Sequence, residues 1–312
     1  MKIESENKQV AILMATYEPC ETLVEQVVSF QEQVAEDLSL IVSDDSEGEP
    51  SAFLRLTLER FSKGPVTLAS GPREGFAQNF LSLIRLAGPD VAYACLSDQD
   101  DVWFPAKIER SRNMLEIEPA DIPTIYCSRT LRCDNELKSL RLSRMPARTL
   151  GFPHALVQNV AAGNTIMMNR AALDLLQDAS LEAGAIVAHD WWIYQMITGV
   201  GGKVIFDQEP SLYYRQHGGN LIGANVGTAA LLTRTRMVAN GRFSEWNDIN
   251  IAALRRSAHR FTPENQRRLA LFARARRRRG IARLNDLQKV GVYRQTKFSN
   301  AAMWSAIALG KI

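Results

Sequence analysis

Short apolar runs alternate with segments of helical period through the first 120 residues. Val10 to Ala15 precedes a helical pattern over Glu21 to Gln33, Leu38 to Val42 precedes Ser51 to Phe61, and Val66 to Ala69 precedes Phe76 to Leu86. A fourth apolar run, Val91 to Leu96, ends in the acidic turn Ser97-Asp98-Gln99-Asp100-Asp101, and Pro105 then stands where a helix reaching about Glu118 would begin. This alternation predicts an α/β fold, with a mostly parallel sheet flanked by helices.

The pattern is less regular after about residue 120. Thr124 to Cys127, Leu131 to Cys133, Lys203 to Phe206 and Ser211 to Arg215 read as short strands, and Arg170 to Gln177 as a helix. His189-Asp190-Trp191-Trp192 opens a further helix that runs to about Val200 and is stopped by Gly201-Gly202. From about Thr228 the chain reads as helices with Arg-rich faces. The expected organisation is therefore a sheet-containing region over 1–225, divided near residue 120 into two halves, followed by a basic helical region over 226–312.

Charge sharpens that division. Residues 226–312 hold eighteen Lys and Arg against four Asp and Glu, so in a chain of net charge +3 the remaining residues carry −11. A basic end behind an acidic body suggests an anionic contact, with a membrane surface favoured over nucleic acid because no nucleic-acid-binding module accompanies the arginines. A solvated helix face is the plainer reading. Met1 to Gln9 is polar, and no uncharged apolar run approaches the length of a membrane span, so a cytoplasmic protein, peripheral at most, is expected. Cys20, Cys95, Cys127 and Cys133 have neither CxxC spacing nor a His cluster, which points to reduced thiols rather than zinc or disulfides.

Ligands of open α/β sheets bind beyond the carboxyl ends of the strands. Those ends are acidic here: Thr16-Tyr17-Glu18, Ser43-Asp44-Asp45-Ser46 and the Asp98–Asp101 turn, with Gly71-Pro72-Arg73-Glu74-Gly75 after the third run. The first turn lacks glycine and no GxxxxGK[ST] occurs, which removes the main support for dinucleotide and P-loop readings. Clustered carboxylates repel a phosphate unless a hard divalent cation, Mg2+ or Mn2+, lies between them. Such a cation would stabilise a departing diphosphate, as transfer from a nucleotide sugar requires.

Six segments taken in order resemble glycosyltransferase family 2, of GT-A fold, and within it the bacterial rhamnosyltransferase-like members. They are Ala15-Thr16-Tyr17, Ser43 to Ser46, Gly75-Phe76-Ala77-Gln78-Asn79-Phe80, Leu96 to Trp103, His189 to Trp192, and Tyr214-Arg215-Gln216-His217, all between residues 10 and 220. The resemblance implies an inverting hexosyltransferase that moves a sugar, best read as rhamnose from dTDP-rhamnose, to a hydroxyl of a bacterial surface polysaccharide or lipid-linked glycan. A UDP-hexose or UDP-N-acetylhexosamine donor is the alternative, and a non-catalytic nucleotide-sugar binder the second.

Carried over residue by residue, the resemblance places Thr16, Tyr17, Asp44, Asp45, Arg73, Asn79, Asp98, Gln99 and Asp100 at the nucleotide sugar. Asp98 would meet the ribose, Asp100 the metal, and His217 the metal or diphosphate. Asp190 resembles the general base, with Asp101, His189, Trp191, Trp192, Arg215 and Gln216 in acceptor or supporting places. Ser46 stands where many members have Gly, and His189 where the wider family has Glu. Plainer readings stand beside these: turn residues for the acidic clusters, a helix cap for Asp190, and core for the tryptophans.

Overall fold

The computed structural model describes residues 9–216 and 242–308. Its centre is a nine-stranded sheet in the order β3-β2-β1-β4-β8-β6-β9-β5, with β7 paired to β6. The strands are β1 (Val10–Thr16), β2 (Leu38–Asp44), β3 (Val66–Ser70), β4 (Tyr93–Ser97), β5 (Val102–Trp103), β6 (Thr124–Cys133), β7 (Arg141–Leu142), β8 (Met167–Asn169) and β9 (Lys203–Arg215). Strands β1 to β4 are mutually parallel, as the alternation predicts. Beyond β4 the sheet is mixed: β8 runs antiparallel to both β4 and β6, while β9 lies parallel to β6. The fold is thus α/β with helices on the sheet, as the resemblance implies.

Strands β1 and β2 are buried on both faces, which accounts for their unbroken apolar runs. Helices α1 (Thr22–Gln31), α2 (Ala52–Leu58) and α4 (Lys107–Leu115) contribute Leu23, Val27, Phe30, Leu54, Ile108 and Leu115 to one core with Ile12, Leu40 and Trp103. Helices α3 (Phe76–Leu86), α6 (Arg170–Ala183) and α7 (His189–Gly199) fill the other, with Phe80, Ile84, Leu173, Leu176 and Trp192. A short helix, α5 (Phe152–Ala155), joins this second core.

The two pairs of short strands expected in the second half are single long strands. β6 and β9 pair continuously from Thr124↔Lys203 to Cys133↔Arg215, with register shifts between Ser128 and Leu131. Pro210 falls in that irregular stretch. A proline cannot donate to a ladder, so the strand kinks there instead of ending.

Helices α8 (Arg242–Arg256), α9 (Pro263–Arg277), α10 (Gly280–Val290) and α11 (Lys297–Ala308) form the described part of the basic region. Their Ile251, Leu254, Phe261, Leu269 and Phe272 belong to the same core as Trp192 and Ile197. Asn265 donates 3.0 Å bonds to the carbonyls of Thr198 and Gly199, closing the carboxyl end of α7. Many of the arginines serve the protein itself: Arg256 donates to the Ala183 carbonyl at the end of α6, Arg260 pairs with Glu182, Arg274 with Asp286 and Arg276 with Asp248. Cations at a helix carboxyl end also meet the negative end of its dipole. All four cysteines are free. Among the described residues no helix is long and apolar enough to cross a membrane.

Candidate active site

The carboxyl ends of β1, β2 and β4 meet in one place because β1 lies between the other two, in register with both. Thr16 donates to Asp44 Oδ1 at 2.9 Å, and Ser46 donates to the same oxygen at 2.8 Å. Ser46 in turn accepts the Glu18 amide at 2.8 Å, holding a residue with φ of 42°. Thr16 and Asp44 are both buried at the carboxyl ends of β1 and β2.

Asp45 is committed to the loop that leads into α3. Its carboxylate accepts the amides of Arg73, at 2.5 Å, and Gly75, at 3.1 Å. Arg73 has φ of 60°, a left-handed conformation that costs a non-glycine residue free energy and needs such support. A Cβ on Gly71 would stand 2.6 Å from Asp45 Oδ1, so the loop needs glycine there. The Arg73 side chain donates to the Gly48 carbonyl at 2.8 Å. Asn79 is buried and donates to the Ser43 carbonyl at 3.0 Å. Asp45 and Asn79 were expected to touch the nucleotide; in the structure Asp45 accepts from the backbone of the Arg73 loop and Asn79 donates to backbone, while Asn79 Oδ1 is buried without a partner among the described residues.

Gln99 is likewise occupied. Its side-chain amide accepts the Tyr17 N–H at 2.9 Å and donates to the Tyr17 carbonyl at 3.0 Å, a reciprocal pair that ties the β4 loop to the β1 loop. Tyr17 is 57% exposed.

The acidic turn is strongly charged against itself. Burial raises the Asp98 carboxyl to about 7, assisted by repulsion from Asp100 and from Asp190, with Lys107 opposing. Asp101 is fully buried and held well above the ordinary carboxylate range by burial and by Asp100 and Asp98. Its Oδ2 accepts from Asn164 at 2.6 Å, and its Oδ1 is buried without a donor among the described residues. Lys107, also buried, donates to the Asn164 carbonyl and lies 3.7 Å from the centre of the Trp103 ring, its ammonium lowered to about 8 by burial. Arg215, 1% exposed, donates to the Asp100 carbonyl at 2.8 Å, to the Asn135 carbonyl at 3.3 Å and to Glu25 of α1. Gln216 extends the ladder through its amide to the Cys133 carbonyl at 3.0 Å.

Asp190 comes to this cluster from the first turn of α7, ninety-two positions beyond Asp98 in sequence, and close enough to repel it. Burial raises its carboxyl to about 6, while bonds from the Trp191 amide, the Asn159 side chain and the Gly163 amide work the other way. The Trp191 N–H donates at 2.6 Å. Asp190 therefore has local helix-start bonding and a position at the site together.

His189 is buried and packed. Its ring stacks on Phe80 at 3.7 Å between centres, neither nitrogen has a hydrogen-bond partner among the described residues, and burial lowers it to about 3. A Cβ on Gly163 would lie 2.5 Å from His189 Nε2, so glycine lets the chain close over the ring. Trp191 and Trp192 are core, Trp191 donating through its indole to the Ala155 carbonyl at 2.7 Å. His217 lies outside the described residues.

Lys107, Asn164, Asn159 and Gly163 belong to the site although no sequence signal singled them out. Each is an unremarkable polar or small residue until the sheet closes around it.

No protein-family model matches the chain. Over 234 residues it is 25% identical to the dTDP-rhamnosyl transferase RfbG of Shigella flexneri, an alignment covering 73% of this chain and 79% of that protein. Among solved structures it is similar to residues 1–349 of S. aureus TarS, with TM-score 0.54 at 11% identity over 90% of this chain and 89% of that one. The TarS structure in complex with UDP-GlcNAc gives 0.56 at 11% identity, covering 84% and 71%. The mannosyltransferase PcManGT from Pyrobaculum calidifontis, in complex with GDP-Man and Mn2+, gives 0.50 at 14% identity, covering 97% and 86%. These structural likenesses establish the fold. Together with the Shigella relative they support a class, the glycosyltransferases that use nucleotide sugars.

Proposed function

We propose that the protein transfers a sugar, rhamnose from dTDP-rhamnose in the first instance, to an acceptor hydroxyl with inversion at the anomeric carbon. The observation that carries this reading is the convergence of Asp100 and Asp190 on Asp98 from two distant segments of the chain. A donor-side carboxylate cluster and a separately supplied carboxylate are what one displacement between a diphosphate and a hydroxyl requires. Rhamnose rests on the name of the Shigella relative. A UDP-sugar is the second reading, favoured by the likeness to a structure containing UDP-GlcNAc.

Thr16 and Asp44 would receive a pyrimidine base, since Asp44 can accept the N3 hydrogen of uracil or thymine. Tyr17 stands exposed beside them, and the Arg73 loop forms the flank. Asp45, Asn79, Gln99 and Arg215 hold the loops that carry these groups.

A divalent cation fits the donor set. Asp98 and Asp100 supply hard oxygens, Lys107 opposes the repulsion that Asp100 exerts on Asp98, and the neighbouring Asp101 leaves one oxygen without a donor among the described residues. Among the described residues no group of three or more His, Cys, Asp or Glu side chains could hold a metal ion by itself, so a cation held by Asp100 with Asp98 would need diphosphate oxygens, or His217, to complete its shell. The cation would act as a Lewis acid on the departing diphosphate. Mn2+ accompanies GDP-Man in the PcManGT structure.

Asp190 acts as base. Burial makes its carboxylate more basic than an exposed one, while the Trp191 amide and Asn159 fix its direction. It takes the acceptor proton as the hydroxyl attacks, and a single displacement inverts configuration. The described helices place basic side chains on the outer surface, and contact with an anionic inner-membrane face would bring the enzyme to a lipid-linked acceptor.

The test is a donor panel of dTDP-rhamnose, UDP-glucose, UDP-galactose and UDP-N-acetylhexosamines with Mn2+, scoring nucleotide release and sugar transfer. Asp100→Ala and Asp190→Asn are expected to abolish transfer with the fold intact. Normal turnover in either variant would remove that residue from the mechanism, and donor binding without turnover on the whole panel would leave a binding protein.

A further inference from the structure

The carboxyl half of β6 is flanked by β9 on one side and by the short edge strand β7 on the other. In this ladder Arg132 lies directly opposite Arg141, and across the other edge opposite Tyr214. Side chains directly opposite on antiparallel strands stand about 5 Å apart at Cβ, and like charges so placed are destabilising. Arg144 joins the pair, close enough to act on Arg132 together with Arg141. Three guanidinium groups thus share one corner of the sheet.

Among the described residues no carboxylate forms an ion pair with them. The groups acting on Arg132 are Arg144, Arg141 and Tyr214, and burial with that repulsion lowers its basicity. Its Nε–H is buried without an acceptor among the described residues. Residues 217–241, which follow β9, contain neither Asp nor Glu. Neighbouring arginines elsewhere in the protein do have partners: Arg215 has Glu25 and Arg110 has Asp207. The corner is therefore built with cations facing one another and an unmet buried donor.

We infer that Arg132, Arg141 and Arg144 form a binding site for a phosphate or diphosphate group. Guanidinium forks bind phosphoryl oxygens two at a time, and one dianion or trianion would relieve the repulsion among all three. The corner adjoins the candidate active site, since the register position after Arg132↔Tyr214 is Cys133↔Arg215, and Arg215 holds the Asp100 carbonyl. Leu140, Leu142 and Met145 alternate with these arginines and are 50%, 41% and 45% exposed. A phosphate borne by the acceptor, on an apolar chain, matches a basic corner with an apolar border. The binding claim itself does not depend on the transferase reading.

Binding of inorganic pyrophosphate to the full chain is measured by calorimetry at fixed ionic strength with EDTA present, so that the carboxylate cluster repels it. Arg132→Gln, Arg141→Gln and Arg144→Gln are each expected to weaken that binding at least tenfold. Binding of dTDP and UDP with Mn2+ should stay within twofold in the same variants. Arg141 and Arg144 are exposed, so their variants keep the fold, which thermal melts check. Flotation with phosphatidylglycerol vesicles against phosphatidylcholine vesicles identifies the source. Loss of flotation in the variants assigns the phosphate to a lipid headgroup, and unchanged flotation with weakened pyrophosphate binding assigns it to a water-soluble ligand. Unchanged pyrophosphate affinity in all three variants overturns the site, as does a parallel loss of nucleotide binding, which would make the corner part of the donor pocket.

Discussion

Replacing Asp190 by Asn is expected to make the protein more stable and inactive at once. Folding moves this carboxyl from an ordinary value of 3.8 to about 6, chiefly through burial. The folded state therefore binds the proton more tightly than the unfolded chain does. Its stabilising contribution is complete below about pH 4 and is lost as pH rises through 6. Fully realised, the difference is about 3 kcal/mol, at 1.4 kcal/mol for each tenfold change in proton affinity. Partial solvent access reduces it to about 1–2 kcal/mol. Asparagine keeps an oxygen to accept the Trp191 N–H without carrying charge into the cleft. Urea unfolding with chelator present should show the variant more stable by that amount at pH 8, with the gap narrowing as pH falls through 6 and closing below about pH 4. Transfer should fall about 10²- to 10⁴-fold, the usual effect of losing a general base. Equal stability at pH 8, or a gap that does not close in acid, would show that the carboxylate is not under the burial described here. Retained turnover would separately remove it as the base.

Gly163→Ala sets a methyl group 2.5 Å from His189 Nε2 and should cost about 1–3 kcal/mol in urea unfolding, the usual effect of overpacking, with loss of transfer because Asp190 adjoins the same contact. An unchanged midpoint would show that the ring can withdraw. Arg215→Met leaves the Asp100 carbonyl without its buried donor; a loss of about 1–3 kcal/mol is expected, with a higher Mn2+ requirement for transfer, and an unaltered Mn2+ response would confine Arg215 to a role in stability. Co-sedimentation of the full chain with anionic liposomes should weaken as salt rises, because screening shortens the reach of surface charge. Equal recovery with neutral vesicles would contradict an electrostatic contact.

The first four strands and the helices between them were legible because each carries its own period: β1 and β2 are buried on both faces, and α3 presents Phe80, Leu83 and Ile84 on one side. Strands β5, β7 and β8 were not, being two or three residues long with no room for alternation. Met167–Asn169 is apolar enough to be a strand or the start of a helix, and its place between β4 and β6 is decided by partners far away in sequence. The breaks anticipated within β6 and β9 reflect polar and proline residues that a long, irregular pairing tolerates. Arginine-rich helices read as an outward basic face, yet Arg256, Arg260 and Arg276 bond inward or to neighbouring helices. A charge count cannot separate these from free charges.

The motif residues divide by a criterion that sequence does not contain: whether a polar atom is already satisfied. Asp44 and Asp45 are adjacent and chemically identical, but Asp45 spends both oxygens on the amides of Arg73 and Gly75, while Asp44 faces Thr16 and Ser46 at the cleft. Gln99 is closed off by Tyr17, and Asn79 commits its amide N–H to Ser43 while its Oδ1 stays buried without a partner among the described residues, although both sit in runs that read as ligand-binding. The residues left with unmet electrostatic demand are Asp98, Asp101 and Asp190, drawn from two distant segments. A buried carboxylate costs folding free energy, and gathering several in one cleft is tolerable only where a ligand offsets that cost. The position of the unmet demand, more than the motif itself, marks where donor and acceptor would meet.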